Sequence, residues 1–236
     1  MDDLPKAILL DLDDTILDFS ASAGRCWQGV CERFAPRFEG LTPARLLAAI
    51  EERRLWFWAE PERHRRGRLD LGQARREIVA AALSQLNVDA PVLGNEVADT
   101  YAVEREEAIE LMPGAIDALH YLQGQGVRLA LITNGTAQAQ RLKIDRFDLG
   151  GLFCCIVIEG EFGVGKPDER VYLHALEELK VEPEEAWMVG DHLEWDVSAP
   201  QGLGILGVWL DYAGQGLPAG SQVHPDRIIR SLSELV

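Results

Sequence analysis

Short, unbroken apolar runs alternate with helical stripes along most of this chain. Ala7-Ile8-Leu9-Leu10 reads as a buried strand running into Asp11. Val127 to Ile132 has the same form and ends at Thr133-Asn134-Gly135. Phe153 to Ile158 is apolar and rich in β-branched residues, Ala186 to Val189 ends at Gly190-Asp191, and Ile205 to Leu210 ends at Asp211. Continuous rather than alternating apolar runs fit strands covered on both faces, as in a parallel sheet flanked by helices. Between the strands, Pro113 predicts the start of a helix carrying Ile116, Leu119 and Leu122 that stops near Gly124 and Gly126. Pro167 is expected at a first helical position, ahead of a stripe of Val171, Ala175, Leu176 and Leu179. Strand–helix alternation of this kind predicts a doubly wound α/β sheet, in which ligands bind beyond the carboxyl ends of the strands.

One region breaks the rhythm. From about residue 20 to 110 the pattern is helical only. Thr42-Pro43 reads as a cap and first residue ahead of Leu46, Leu47, Ile50 and Phe57, and Asp70 with Gln73 has the spacing of a capping box before Ile78, Ala82 and Leu86. Pro36 and Pro91 punctuate the other ends. The expectation is a core built from residues 1–19 and 111–236, with an all-helical domain of four or so helices inserted at 20–110. Residues beyond about 212 read as a loop and a short helix, Pro225 to Leu235, with no assigned role.

Charge sharpens that division. The inserted stretch holds 13 arginines and no lysine against 15 acids, so it is close to neutral, while the whole chain carries a formal −16. The acid therefore sits in the core. A field of that sign repels phosphate backbones and anionic lipid, which argues against nucleic acid or membrane as partner. At 236 residues and 47% hydrophobic, the chain is long enough to bury a core without covalent staples. No apolar run approaches the roughly 18 residues of a membrane span, and Met1-Asp2-Asp3-Leu4-Pro5 lacks a basic leader region. Cys26, Cys31, Cys154 and Cys155 form no CxxC pair and read as reduced thiols. Together these features predict a soluble, cytoplasmic protein, a monomer or small homo-oligomer.

If the strands are parallel, their carboxyl ends share one edge, and several deliver polar residues there. Asp11 and Asp13 point the same way from an extended chain. Alone, an Asp-x-Asp is as readily a turn or a helix cap. Asp191 and Asp196 bring further carboxylates from another strand end, and a divalent cation would hold such a group ionised. Thr133-Asn134-Gly135 places a hydroxyl and an amide before a helix start, where a phosphoryl oxygen finds donors. Lys166, one of only four lysines, precedes Pro167 and the next helix and would neutralise a phosphoryl transition state.

Asp11-x-Asp13-x-Thr15, Thr133, Lys166-Pro167, and Gly190-Asp191 with Asp196 resemble, in order and spacing, the four motifs of the haloacid dehalogenase-like (HAD) superfamily. The similarity covers most of residues 6–212 and implies a Rossmann-like core. The helical insert resembles the C1 cap of that superfamily, and the stretch from Thr133 through Gln140, Lys143 and Leu149 to Asp168 is similar to its nucleotidase-like and sugar-phosphatase-like branch. The resemblance implies that Asp11 attacks phosphorus and that Asp13 protonates the leaving group. It also implies that Mg2+ is held by Asp11, the Asp13 backbone carbonyl, Asp191 and Asp196, and that Thr133, Asn134 and Lys166 receive the phosphoryl oxygens. Asp14 is read as a loop cap. The implied activity is a magnesium-dependent phosphatase acting on a small phosphorylated metabolite, a nucleoside monophosphate or sugar phosphate. An acid at position 13 is unlike the dehalogenases, and an insert without lysine is unlike the phosphonatases. A phosphomutase, a haloacid dehalogenase and a non-catalytic binding protein of the same fold stay open. In the insert, Arg65 and Arg66, beside Trp56, Phe57 and Trp58, are candidate contacts for a second anionic group, with a solvated helix turn as the alternative.

Overall fold

The computed structural model describes residues 4–236. The chain divides into two compact units, Met1–Asp18 with Glu110–Val236, and Phe19–Ile109.

The first unit is built on a six-stranded sheet among the described residues. Its strands are β1 (Ala7–Leu10), β4 (Arg128–Thr133), β5 (Cys155–Ile158), β6 (Ala186–Gly190), β7 (Leu206–Leu210) and β8 (Arg227–Ile229). They lie in the order β5-β4-β1-β6-β7-β8, and every pairing is parallel. A separate antiparallel pair, β2 (Leu17–Asp18) and β3 (Glu110–Leu111), brackets residues 19–109 and sets Asp18 opposite Glu110. All four residues of β1 are fully buried. Ala7 and Leu9 join Ala130, Ile132, Val157 and Met188 against Val171, Tyr172 and Leu176 of a helix, which is why the run carries no polar alternation. This is the Rossmann-like α/β arrangement, with β1 at its centre.

Helices of this unit are α6 (Ala115–Gly124), α7 (Ala137–Arg146), α8 (Glu159–Phe162), α9 (Glu169–Leu179) and α10 (Ala199–Gln201). Two starts differ from the sequence expectation. The α6 helix begins at Ala115, after Gly114 with a φ of 72°, and not at Pro113 where the sequence places its start. The α9 helix is capped by Asp168, which accepts from the Arg170 amide, so Pro167 lies just outside it rather than at its first position. A further difference is the C-terminal segment: Arg227–Ile229 pairs with β7 as a sixth strand, followed by a 3-10 turn at Leu232–Leu235. Three residues with one buried apolar side chain, Ile229, are too few to show a strand period.

The second unit is all-helical: α1 (Ala21–Phe34), α2 (Pro43–Trp58), α3 (Pro61–Leu69), α4 (Leu71–Gln85) and α5 (Pro91–Glu107). Thr42 caps α2 by accepting from the Arg45 amide, and Asp70 caps α4 by accepting from the Gln73 amide, as the sequence spacing predicts. The helices close on a core of their own that includes Trp27, Val30, Leu46, Ile50, Phe57, Ile78 and Val97.

Candidate active site

Because β4, β1 and β6 are neighbours and parallel, their carboxyl ends lie side by side, and Thr133, Asp11 and Asp191 stand at them. The Asp11 amide continues the ladder by donating to the Val189 carbonyl at 3.0 Å, which fixes the aspartate at the sheet edge. Its carboxylate accepts from Lys166 Nζ at 2.7 Å on one oxygen and from the Thr15 hydroxyl at 3.3 Å on the other. The same Lys166 Nζ donates at 2.6 Å to Asp196. Lys166 is 1% exposed, so this ammonium is out of solvent and bridges the two carboxylates. Oxygens of Asp11, Asp191 and Asp196 lie within 4.8 Å of one another. An all-oxygen carboxylate cluster suits a hard divalent cation and not a thiophilic one.

The electrostatics follow from burial. Desolvation pushes Asp11 up to about 7, against the pull of Lys166 and with the help of Asp196. Desolvation likewise pushes Asp191 up to about 8, and Asp11 and Asp196 add to it. Lys166 is pulled down by burial, but Asp11 and Asp196 outweigh that and hold it above its ordinary value. Burial outweighs the neighbouring cation at the two aspartates, whereas the neighbouring carboxylates outweigh burial at the lysine.

Asp196 reaches the cluster from an unusual segment. Leu193–Ser198 is a π-helical turn, and the His192 amide donates to the second Asp196 oxygen at 3.0 Å. His192 stacks on Trp195 with ring centroids 3.9 Å apart, and the Tyr172 hydroxyl donates to the Trp195 carbonyl. Both rings therefore brace the turn that presents Asp196. Gly190 makes room for it: a Cβ there would meet the Asp196 carboxyl carbon at 2.3 Å.

Asp13 goes elsewhere. Its carboxylate accepts from Lys143 Nζ at 2.7 and 2.6 Å and from Gln140 Nε2 at 3.0 Å. It lies outside the three-carboxylate cluster, so only its backbone carbonyl remains for the metal role expected of Asp13. Gln140 also donates to the Thr133 hydroxyl at 2.5 Å. Lys143 and Gln140 lie three residues apart on α7, so one helix face serves both strand ends. Neither was singled out as a site residue in the sequence, because a lysine and a glutamine on a helix ordinarily mark its solvated side.

Asn134 is tied to the lysine's own backbone. Its side chain donates to the Lys166 carbonyl at 2.8 Å and accepts from the Lys166 amide at 2.7 Å. The side chain clasps the loop that carries the lysine. The Gly135 amide is taken by the Glu159 carboxylate at 3.0 Å. Arg65 and Arg66 belong to the helical unit, where they pair with Glu62 at 3.1 Å and Glu77 at 2.8 Å.

A family model described as haloacid dehalogenase-like hydrolase matches residues 5–204. The chain is 32% identical to the phosphoserine phosphatase of Thermus thermophilus, over 98% of this chain and 97% of that one. It is 29% identical to the glyceraldehyde 3-phosphate phosphatase of Pyrococcus furiosus, over 98% and 91%. Among solved structures, the HAD-hydrolase YfnB of Bacillus subtilis, bound to magnesium, matches with a TM-score of 0.76 and 25% identity over 99% of this chain and 97% of that one. Among the described residues, no helix is long and apolar enough to cross a membrane.

Proposed function

We propose a reaction for this chain on one premise: it belongs to the haloacid dehalogenase-like hydrolase family. The reaction is hydrolysis of a small phosphate monoester, the class of chemistry for which the Thermus and Pyrococcus relatives are named. One observation carries the reading. Two carboxylates at one strand end are drawn to different cations, Asp11 to Lys166 and Asp13 to Lys143. Groups of the same type in separate environments take separate roles.

Asp11 is the nucleophile: its carboxylate oxygen attacks phosphorus in line, the bond to the leaving alkoxide breaks, and an aspartyl-phosphate forms. Lys166 holds the Asp11 carboxylate and compensates the charge that builds on the phosphoryl oxygens. The Thr133 hydroxyl, oriented by Gln140, gives those oxygens a donor. Asp13 delivers a proton to the departing oxygen and takes one from the water that cleaves the aspartyl-phosphate, which restores Asp11. A dehalogenase releases halide, which needs no proton, and would leave Asp13 without a task. Carboxylates of Asp11, Asp191 and Asp196, with the Asp13 carbonyl, are the groups that would hold Mg2+. When bound, the ion supplies charge neutralisation at the phosphoryl group. Support for magnesium comes from the oxygen-only donor set and from the magnesium-bound relative. The helical unit is read as a C1-type cap domain.

The test is release of phosphate from an aryl phosphate with and without Mg2+. Wild type is expected to turn over only with the ion, and Asp11→Asn to be inactive under both conditions. Equal rates for the two proteins would sink the mechanism, and halide release from a short 2-haloacid would replace it.

A further inference from the structure

The helical unit contains a cavity that the chemistry above does not use. It has a volume of about 130 Å³ and is lined by Arg54, Arg75 and Arg105 together with Trp27, Trp58 and Tyr101. An engineered apolar cavity of roughly 150 Å³ takes up benzene, so this one suits a group of a few heavy atoms.

Its polar lining is one-sided. Arg105 is 1% exposed. One of its terminal nitrogens donates to the Ser22 hydroxyl at 2.8 Å, and its guanidinium lies 4.1 Å from the centre of the Phe19 ring. Its other terminal nitrogen, Nη2, is buried without a hydrogen-bond partner, and so is the indole nitrogen of Trp27. Buried donors of this kind are rare in folded proteins, and an orphaned guanidinium N–H points to a missing acceptor. Burial holds Arg75 below its ordinary value, against Tyr101 and Glu106, and Arg105 adds to the depression.

No carboxylate lines the cavity, and among the described residues Arg54, Arg75 and Arg105 form no ion pair. Elsewhere in the unit arginines find acids: Arg33 pairs with Glu104, Arg66 with Glu77 and Arg76 with Asp99. The unit is nearly neutral in sum, so three unpaired arginines around one hollow are not a by-product of a basic surface. The walls are aromatic and flat, with Trp27 stacked on Tyr101 at 3.7 Å and Arg75 lying 5.5 Å from the Tyr101 ring centre. A planar oxyanion matches flat walls and forked guanidinium donors.

We infer that this cavity binds a small organic carboxylate, received by Arg54, Arg75 and Arg105 between aromatic walls. This binding stands independently of the phosphatase reading.

Glycolate titrated into the full chain, followed by calorimetry and tryptophan fluorescence, tests the site, with neutral glycolamide as control. Glycolate is expected to bind saturably and glycolamide not to bind. Arg105→Met and Arg54→Met should each weaken glycolate at least tenfold. Arg54 is half-buried, so its variant keeps the test valid if Arg105→Met fails to fold. The inference is overturned if glycolate does not bind, if inorganic phosphate binds more tightly there, or if both variants bind like wild type. An enzyme inactive on every ester would defeat the proposed reaction and leave the glycolate result readable.

Discussion

Lys143 braces a residue that its own position in the chain does not advertise, and that makes it a sharp test of the site. Asp13→Asn removes the proton carrier and should lower kcat by roughly 10²–10⁴-fold. Lys143→Met leaves the Asp13 carboxylate but removes the cation that holds both of its oxygens. Its kcat should fall less than that of Asp13→Asn, by roughly tenfold, with KM little changed. Steady-state kinetics on an aryl phosphate read both, and a Lys143→Met enzyme as fast as wild type would remove Lys143 from the mechanism. The carboxylate cluster makes a separate prediction about metal-free protein. Asp11 and Asp191 sit at about 7 and about 8 in the folded chain, above the ordinary 3.8. The folded state thus holds more protons than the unfolded one across that window, so their contribution is complete below about pH 4 and is lost as pH rises through 7 and 8. With chelator present, the thermal midpoint should fall between pH 5 and pH 8.5. Added Mg2+ should flatten the fall by taking the place of the protons. A midpoint that rises over the same range would contradict the cluster's charge state.

At the level of elements, what was legible and what was not has a common cause. Strands buried on both faces read as apolar runs with abrupt polar ends, so Asp11, Thr133 and Asp191 were visible as strand-end residues before any coordinates. Elements whose role depends on a partner far along the chain were not. Gln140 and Lys143 meet Asp13 across more than a hundred residues, and the cavity arginines come one each from α2, α4 and α5. On each helix such an arginine looks like ordinary solvated surface. The Leu193–Ser198 turn was legible as a motif but not as a π-helix, because its stacking of His192 on Trp195 needs the three-dimensional turn to exist. The central strand carries its own prediction. Leu9 is fully buried in β1 between β4 and β6, so Leu9→Ala should destabilise the first unit by about 2–5 kcal/mol. Urea unfolding followed by far-UV circular dichroism measures it. A loss under 1 kcal/mol would mean that the packing around β1 relaxes to fill the space.

For the molecule as a whole, chemistry and helical insert are separable in the chain. Each unit has a hydrophobic core of its own, and the catalytic candidates Asp11, Asp13, Thr133 and Lys166 all belong to one of them. Asp18 and Glu110 are already ladder partners, so an Asn-Gly turn can join them in place of residues 19–109. The shortened chain is expected to fold with its sheet intact. It should still release phosphate from an aryl phosphate in the presence of Mg2+, at a lower rate. Circular dichroism and phosphate release from the aryl phosphate decide the matter, and a chain that aggregates would show that the first unit needs the second to fold.

That two-rung ladder of β2 and β3 has a consequence for how such a protein changes over time. Exit and return of the chain occur at adjacent backbone positions, so whatever is spliced between them leaves the sheet's register untouched. One contiguous cassette of sequence can then be exchanged whole while the acid-bearing scaffold is inherited intact.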